Sequence, residues 1–269
     1  MDKTTLHERD TYYYQRVSNK TRSQCTQHYH NSFEIYYLKE GRCNYFIDNC
    51  LYEIKSGDIV LIPSEVIHKT NYNELEPHSR TLINCSVNYI PNSVVEIMPT
   101  MSYLYRNPGI SAEVELLLEK IGTEYEREDR FRDEALRCLT HELFFLLARN
   151  ATSCDVVSAG SLFIEETVKY IQKHYMNAIN LADMAKSHSV SPEHLSRVFK
   201  KETGFGFAEY LTLVRLQKAE YMLKNEPGKT ICEVAYACGF NDSNYFSDKF
   251  KRAYGHSPSK FKNKLVHKA

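Results

Sequence analysis

The sequence contains no long apolar run and no closely spaced cysteine pair. No segment approaches the ~20 consecutive apolar residues of a membrane helix, so we expect a chain with no membrane partner. The first residues, MDKTTLHERDTYYYQ, are polar and charged where a secretory leader is apolar, and we therefore expect a cytoplasmic protein. The eight cysteines are scattered without a CxxC pair, which favours buried free thiols over disulfides.

A net charge is also lacking, because 34 Lys and Arg residues balance 34 Asp and Glu residues. The balance hides an uneven distribution. Residues 160–269 carry 17 basic and 11 acidic side chains, whereas residues 1–159 carry 17 basic and 23 acidic ones. This asymmetry predicts that the C-terminal part meets a polyanion and that the N-terminal part does not.

Length and residue pattern predict two domains, since 269 residues suffice for two hydrophobic cores. Residues 12–88 are rich in β-branched and aromatic residues and are interrupted by turn residues, which predicts a small β-barrel or sandwich. Its strand-like segments are YYYQRV, FEIYYL, CNYFI, DIVLI and RTLINCSV. Amphipathic patterns then predict two helices, at 112–125 and 132–149.

The segment NATSCDVVSAG, residues 150–160, lacks periodicity and is rich in small and polar residues, which predicts a linker. We therefore expect one domain at 1–149 and a second, all-helical domain at 161–269. The expected N-caps of its helices are Asn180, Ser191 and Asp242.

The predicted helix at 132–149 carries more apolar surface than a lone helix can hide. Its apolar residues are Leu136, Leu139, Leu143, Phe144, Leu146 and Leu147. Two roles stay open for this surface: covering the barrel, or pairing with a second subunit.

The C-terminal part contains an internal repeat. LADMA, which starts at Leu181, resembles ICEVA 50 residues later, and FKKETG resembles FKRAYG 51 residues later. The extra residue falls between the matched segments, where Gly239 permits the positive φ of a tight turn. Each copy predicts a helix, a short turn and a helix. Two such units, joined by a helix at about 207–224, are typical of a DNA-binding protein.

A helical wheel divides the second helix of each unit into an apolar and a polar face. The apolar faces are formed by Leu195, Val198 and Phe199 in the first unit and by Phe246, Phe250 and Ala253 in the second. The polar faces are formed by Glu193, Ser196, Arg197 and Lys200 in the first unit and by Asn244, Ser247, Asp248 and Lys251 in the second. Such side chains reach base edges when a helix lies in the major groove, about 12 Å wide, so these faces predict a DNA interface.

The segment ICEVAYACGFNDSNYFSDKFKRAYGHSPSKFK resembles the signature of the AraC/XylS family of bacterial transcription regulators. The family pattern is I-x-E-V-A, then G-F, Y-F, F-K, G and P, and the resemblance extends over residues 163–262. It implies a seven-helix domain whose two recognition helices enter successive major-groove faces of operator DNA about one turn, ~34 Å, apart. It also implies RNA polymerase as a partner.

Carried over position by position, the resemblance assigns base-facing roles to residues of both units. They are Glu193, Ser196 and Arg197, then Ser243, Asn244, Ser247 and Asp248, with the basic Lys200 and Lys251 completing the predicted DNA-binding set. Asp248 departs from the basic residue common at its position in the family. It either accepts a hydrogen bond from cytosine N4 or weakens binding to the second half-site, and both alternatives stay open.

The N-terminal segments HYHNSFEIYYLKEG and GDIVLIPSEVIH resemble the two short motifs of the cupin fold. His28, His30, Glu34 and His68 correspond to the three histidines and one carboxylate of its metal-binding members. The second motif departs from the pattern at Glu65, where glycine is usual. Since alternate strand residues share a face, the first three of these side chains are predicted to point into one barrel interior. The set suits a divalent cation such as Zn, Fe or Ni.

Three interpretations of these residues remain open: a divalent metal site, a metal-free pocket for an organic effector, and a structural role. Sensor domains of AraC-like regulators often use such positions as polar contacts for an effector. The candidate effector-binding residues are therefore His28, His30, Glu34, Tyr36 and His68. Tyrosines of the predicted strands (Tyr12, Tyr14, Tyr36, Tyr37 and Tyr45) would offer a sugar stacking faces and hydroxyl partners.

These observations predict an α+β multidomain protein, with an N-terminal cupin-like β-barrel carrying a helical hairpin and a C-terminal all-α domain with two helix-turn-helix units. We expect a transcriptional activator controlled by a small-molecule effector, with no catalytic residues and no certain cofactor. We expect it to form a homodimer through the 132–149 helix. A metal-binding cupin sensor or enzyme with an accessory DNA-binding domain is the alternative.

Overall fold

A computed structural model describes residues 12–20, 32–72, 76–98, 101–106, 109–150 and 160–266. The chain divides into two compact units, the first rich in strands and the second helical. The α+β multidomain class predicted from the sequence is confirmed. The predicted linker lies almost wholly outside the described residues, so the exact domain boundaries stay a prediction.

The first unit contains two β-sheets. Its strands are β1 (Tyr12–Lys20), β2 (Phe33–Glu40), β3 (Arg42–Ile47), β4 (Cys50–Lys55), β5 (Ile59–Ile62), β6 (His68–Tyr72), β7 (His78–Cys85) and β8 (Leu104–Tyr105). One sheet has the order β1-β7-β2-β5-β8 and the other the order β4-β3-β6. Within the larger sheet β7 pairs antiparallel with both β1 and β2. A two-residue turn joins β3 and β4, with Asp48 and Asn49 both at positive φ.

Three helices follow the strands in this unit: α1 (Asn92–Ile97), α2 (Ser111–Tyr125) and α3 (Arg132–Arg149). The buried residues of α2 and α3 share one core with odd-numbered residues of β2, β5 and β7, such as Ile35, Leu61 and Ile83. Gly122 allows α2 to approach β1 closely, because a Cβ at that position would lie 2.6 Å from the hydroxyl oxygen of Tyr14. The apolar face of α3 therefore covers the sheet, which was one of its two predicted roles.

The even-numbered residues of β2 and β7 face away from those helices, toward the smaller sheet. Glu34 of β2 lies opposite Asn84 of β7, and Tyr36 lies opposite Leu82. Strand alternation thus gives the larger sheet an outer face packed on helices and an inner face that carries polar and aromatic side chains.

The second unit contains seven helices within the described residues, the number that the family resemblance implies. They are α4 (Leu162–His174), α5 (Leu181–Ser187), α6 (Pro192–Thr203), α7 (Phe207–Asn225), α8 (Ile231–Ala237), α9 (Ser243–Tyr254) and α10 (Pro258–Val266). None of the helices in the described ranges combines the length and apolar composition of a membrane span.

The long helix α7 packs against both helix-turn-helix units. Near its start, Phe207 and Tyr210 contact the ring of Phe199 from α6, with centroids 5.6 and 5.7 Å apart. Near its end, residues from Leu216 onward join the core that contains Phe246 and other residues of α8 and α9. Because one continuous helix carries both units, α7 fixes the spacing between them.

Candidate functional site

Polar side chains cap the helices of both helix-turn-helix units. The predicted caps Asn180, Ser191 and Asp242 each accept a hydrogen bond from the backbone amide three residues later, at 2.8, 3.1 and 2.6 Å. Thr230 forms a capping box at the start of α8: its amide donates to Glu233 at 2.7 Å and its hydroxyl accepts from the Glu233 amide at 3.2 Å. These caps fix where each of the four helices begins.

The two turns share one backbone design. Ser189 and Gly239, which are 50 residues apart, both adopt left-handed φ values, +57° and +82°. In each turn the next residue donates its amide to the carbonyl five residues earlier, at 3.0 Å. The caps Ser191 and Asp242 are 51 residues apart, so the inserted residue is Asn241, just before α9. The sequence predicted an insertion between the matched segments, and the structure locates it.

The predicted polar faces of α6 and α9 lie at the surface of the second unit. The exposed residues are Glu193, Arg197, Lys200, Asn244, Asp248 and Lys251, and the half-buried ones are Ser196, Ser243 and Ser247. On the opposite faces, the buried rings and chains are Leu195, Phe199, Phe246 and Phe250. Each helix therefore packs through one side and presents the other, an arrangement that fits insertion into a DNA groove.

Two contacts shape these exposed faces. Nη2 of Arg197 lies 3.2 Å from Nδ1 of His194, one helical turn earlier. On α9, Nζ of Lys249 lies 5.2 Å from the ring centroid of Tyr245, which is 51% exposed. Because the remaining guanidinium donors of Arg197 are exposed, they are available to a hydrogen-bond acceptor outside the protein.

On the inner face of the first unit, Glu34 and His68 lie close together although each is about 1% exposed. Their Oε2 and Nε2 atoms are 3.6 Å apart. Tyr45 donates its hydroxyl hydrogen to Glu34, and Nδ1 of His68 donates to the Val66 carbonyl at 2.7 Å. The carboxylate of Glu34 is thus held between an imidazole and a phenol.

Tyr36 lies beside this group on β2. Its hydroxyl is 3.0 Å from that of Tyr72 and 3.5 Å from Sγ of Cys43, and its ring meets the ring of Tyr45 edge to face at 5.3 Å. Burial raises the pKa of Tyr36 well above its ordinary value, so its phenol stays protonated near neutral pH. Three of the five predicted effector-binding residues, Glu34 and Tyr36 of the larger sheet and His68 of the smaller one, therefore lie together around Tyr45.

The other two candidates, His28 and His30, lie outside the described residues. Within the described ranges, no group of three or more His, Cys, Asp and Glu side chains is arranged to hold a metal ion. Glu34 and His68 alone provide two donors, fewer than the three or four protein ligands of a zinc centre. The metal hypothesis stays a prediction.

Comparison with protein-family models assigns both units. A model described as an AraC-like ligand binding domain matches residues 14–144, and a model described as a helix-turn-helix domain matches residues 184–264. The chain belongs to the AraC/XylS family of transcriptional regulators. It is a DNA-binding regulator with a ligand-binding domain, and the predicted cupin-like N-terminal fold and double helix-turn-helix architecture are confirmed.

Two curated relatives match most of the regulator, and a third matches a shorter part of it. The Msm operon regulatory protein of Streptococcus mutans is 25% identical over 246 residues, which cover 87% of this chain and 85% of the relative. The HTH-type transcriptional activator RhaR of Mannheimia succiniciproducens is 23% identical over 256 residues, covering 90% and 88%. An uncharacterized HTH-type regulator of Escherichia coli, YijO, is 37% identical over 108 residues, which cover 40% of this chain and 38% of YijO.

Two expectations about the regulator were wrong. Tyr12, Tyr14 and Tyr37 do not line the barrel interior but pack into the helix-covered core on the outer face, because alternate strand residues point to opposite sides. The six cysteines within the described residues are free, as expected, but Cys138 and Cys232 are exposed rather than buried.

Sequence reasoning missed three polar residues of the inner face: Gln15, Arg80 and Asn84. Asn84 is 8% exposed, and its Oδ1 has no hydrogen-bond partner among the described residues. The signal was present in the segment RTLINC, where Arg80, Leu82 and Asn84 occupy alternate positions of a buried strand. In a strand that is buried on both faces, polar residues two or four positions apart lie on the same face. They therefore indicate that this face lines a polar interior.

Proposed function

We propose that this regulator activates transcription when a small polar effector binds to the inner face of the N-terminal sheets. Two helix-turn-helix units supported by one helix are the observation that carries the DNA-binding part of this proposal. The proposed base-facing residues are Glu193, Ser196, Arg197, Ser243, Asn244, Ser247 and Asp248, with Lys200 and Lys251 at phosphates. An activating role is supported by relatives that are named as activators.

The effector in this proposal is a hydroxyl-rich molecule such as a sugar. Glu34 and His68 offer buried polar atoms within 3.6 Å of each other, and Tyr36 offers a protonated phenol. Tyr45 adds an aromatic face beside them. Sugar-binding sites combine such hydrogen-bonding groups with aromatic surfaces, and this combination supports the assignment.

Control requires that the effector bind one arrangement of the protein better than another, because only that affinity difference shifts the population. We further propose a homodimer through α3, whose Phe145 is 38% exposed on the side away from the sheet. Two DNA-binding units per dimer would raise the effective concentration of the second for its half-site. RNA polymerase is the proposed partner of the DNA-bound dimer.

We assign no catalytic step to this protein, because a one-component regulator needs a sensor domain that binds its effector without converting it. A protein that acts on operator DNA works in the compartment that holds the chromosome, so we place it in the cytoplasm.

Arg197→Ala tests the DNA interface. A duplex enriched by the wild-type protein from a random-sequence pool serves as the specific site. We expect the variant to bind this duplex about 1–3 kcal/mol more weakly and to bind unselected duplex almost as well as the wild type, because a bidentate contact to guanine carries sequence information. Fluorescence anisotropy with both duplexes measures the two affinities.

Lys120→Ala, which removes an exposed cation from α2 of the other unit, is the matched control and should leave both affinities unchanged. Equal losses of Arg197→Ala on both duplexes would restrict Arg197 to phosphate contact. No loss on either duplex would remove α6 from the interface.

A further inference from the structure

Arg80 on β7 carries buried hydrogen-bond donors that no described residue accepts. The nitrogens Nε and Nη1 are inaccessible to solvent and have no hydrogen-bond partner among the described residues. Only Nη2 is engaged there, donating to Oε1 of Gln15 at 2.9 Å. No acidic side chain in the described part of the chain forms an ion pair with this guanidinium.

A guanidinium with buried donors that lack an acceptor is costly. Arginine does not deprotonate inside proteins, so the charge cannot be removed in the way a buried lysine or carboxyl group loses its own. Taking such a charge out of water is compensated only by an acceptor of opposite charge or by several oriented dipoles. Buried donors aimed at no protein acceptor therefore indicate a ligand that supplies the acceptor.

Strand register places Arg80 on the same inner face as the proposed effector site. Arg80 pairs with Val17 of β1 and with Leu38 of β2. Ile83 occupies an odd position of β7 and belongs to the helix-covered core. The even positions of β7, including Arg80, therefore face inward. Arg80 and Asn84 are four residues apart, which spaces them ~13 Å along the strand. A small organic molecule is long enough to contact both side chains across that distance.

The surroundings of Arg80 are more open than those of Glu34. Tyr13, Gln15, Arg80 and Leu82 are all half-buried, whereas Glu34 and Asn84 are buried. The first four share the inner face of β1 and β7, and β1 is one of the two edge strands of its sheet. Burial raises the pKa of the Tyr13 phenol, and the positive charge of Arg80 opposes the rise, as expected if the two groups are close.

We infer that the effector carries an acidic group, a carboxylate or a phosphate, which binds Arg80 while the rest of the molecule extends toward Glu34 and Asn84. This inference rests on the proposed function and specifies the chemistry of its effector. The Nε and Nη1 donors of Arg80 remain for an acidic group, and charged N–H donors form strong hydrogen bonds with carboxylate and phosphate oxygens. The effector class thus narrows from any hydroxyl-rich molecule to an acidic one.

Anion binding to the full chain tests the inference without knowledge of the natural effector. The probes are inorganic phosphate and phosphorylated glucose for one source of the acidic group, and acetate and glucuronate for the other. Glucose is the uncharged comparison. Melting temperature is measured at constant ionic strength for the wild type, Arg80→Gln and Arg16→Gln. Arg16 lies on the outer face of β1, 3.6 Å from Glu119, and serves as the matched control.

We expect at least one acidic probe to raise the melting temperature of the wild type and of Arg16→Gln along a saturating curve. In Arg80→Gln the apparent dissociation constant should rise at least about tenfold. Without anions, Arg80→Gln should melt at or above the wild-type temperature, since it removes an uncompensated charge. The family of probes that stabilises the wild type identifies carboxylate or phosphate as the acidic group.

Three results would overturn the inference: no stabilisation of the wild type by any acidic probe, equal stabilisation of Arg80→Gln, or a lower melting temperature of Arg80→Gln without anions, which would indicate a structural role. Failure of the proposed function appears in another measurement. If the wild type binds no selected duplex more tightly than unselected DNA, the regulator proposal fails whatever the anion data show.

Discussion

At the scale of single residues, the inner face of the N-terminal unit carries opposite charges at its two ends. Glu34 is held by Tyr45 and lies 3.6 Å from His68, whereas Arg80 has one described partner, Gln15. The acidic end is therefore compensated within the protein and the basic end is not. A buried carboxylate with donors around it contributes to the fold, whereas a guanidinium with buried donors that lack an acceptor is suited to binding a ligand.

Tyr45→Phe tests the structural part of this arrangement. The change removes the hydroxyl that donates to Glu34 and leaves a buried carboxylate oxygen without that donor, so the free energy of unfolding should fall by about 1–3 kcal/mol. Urea denaturation followed by circular dichroism measures the change. Tyr221→Phe, at a tyrosine that is 65% exposed, should have no effect. Equal stability of Tyr45→Phe and wild type would show that the bond contributes nothing to the fold.

Another single residue explains a departure seen in the sequence. Glu65 stands where the cupin motif usually has glycine, and its φ is +68°. This left-handed conformation is favourable for glycine and unfavourable by about 1–2 kcal/mol for other residues. The motif therefore prefers glycine for a backbone reason, and the chain adopts the same turn with glutamate.

At the scale of elements, helices were easier to predict than short strands. The 3.6-residue period located α3 at Arg132–Arg149, where it occurs, and placed α2 and α7 within one residue of their ends. The strand β6 was missed, because HKTNY mixes polar and apolar residues without a clear alternation. Pairing with β3 stabilises this strand, and a local sequence pattern does not reveal a partner that is distant in the chain.

The face of a side chain was harder to predict than its element. Three successive tyrosines, residues 12–14, open β1, and the sequence does not say which of them turn inward. Packing of α2 and α3 on the outer face decides it, since Tyr12 and Tyr14 join that core and Tyr13 does not. The same uncertainty concealed Arg80, whose neighbours Thr81 and Ile83 point the other way.

The turns of the two helix-turn-helix units use different residues for one backbone conformation. Ser189 tolerates its left-handed φ at an exposed site. Gly239 has no such freedom, because a Cβ there would lie 2.8 Å from the carbonyl oxygens of Tyr175 and Met176, just after α4. The second turn therefore requires glycine for both its conformation and its packing.

Reciprocal substitutions separate those two causes. Gly239→Ser should lower the free energy of unfolding by about 2 kcal/mol or more, since it adds left-handed strain and a clash with backbone. Ser189→Gly should leave stability unchanged or raise it by up to about 1 kcal/mol, because it relieves strain where no contact opposes it. Urea unfolding monitored by helical circular dichroism gives both values. Similar losses in the two variants would mean that the turns are equivalent in packing.

At the scale of the whole molecule, charge separates the two tasks. Residues 160–269 carry the excess of basic side chains and contain both helix-turn-helix units, whereas the ligand-binding domain lies in the acidic part. A basic surface favours association with DNA, and an acidic one limits nonspecific contact of the sensor with the phosphate backbone. Composition predicted this division because the net charge of each part is a sum over many residues, and that sum does not depend on how the side chains pack.

Salt dependence tests how that charge is used. Lys251→Gln removes one exposed cation near the end of α9, and if Lys251 neutralises one phosphate, the slope of log K against log salt should become shallower by about 0.9. The loss of affinity should be similar on selected and unselected duplexes, because phosphates carry no sequence information. Fluorescence anisotropy between about 50 and 200 mM salt measures the slope. Lys120→Gln, with an exposed cation of the acidic part, should leave the slope unchanged, and an unchanged slope for Lys251→Gln would place this end of α9 away from the DNA backbone.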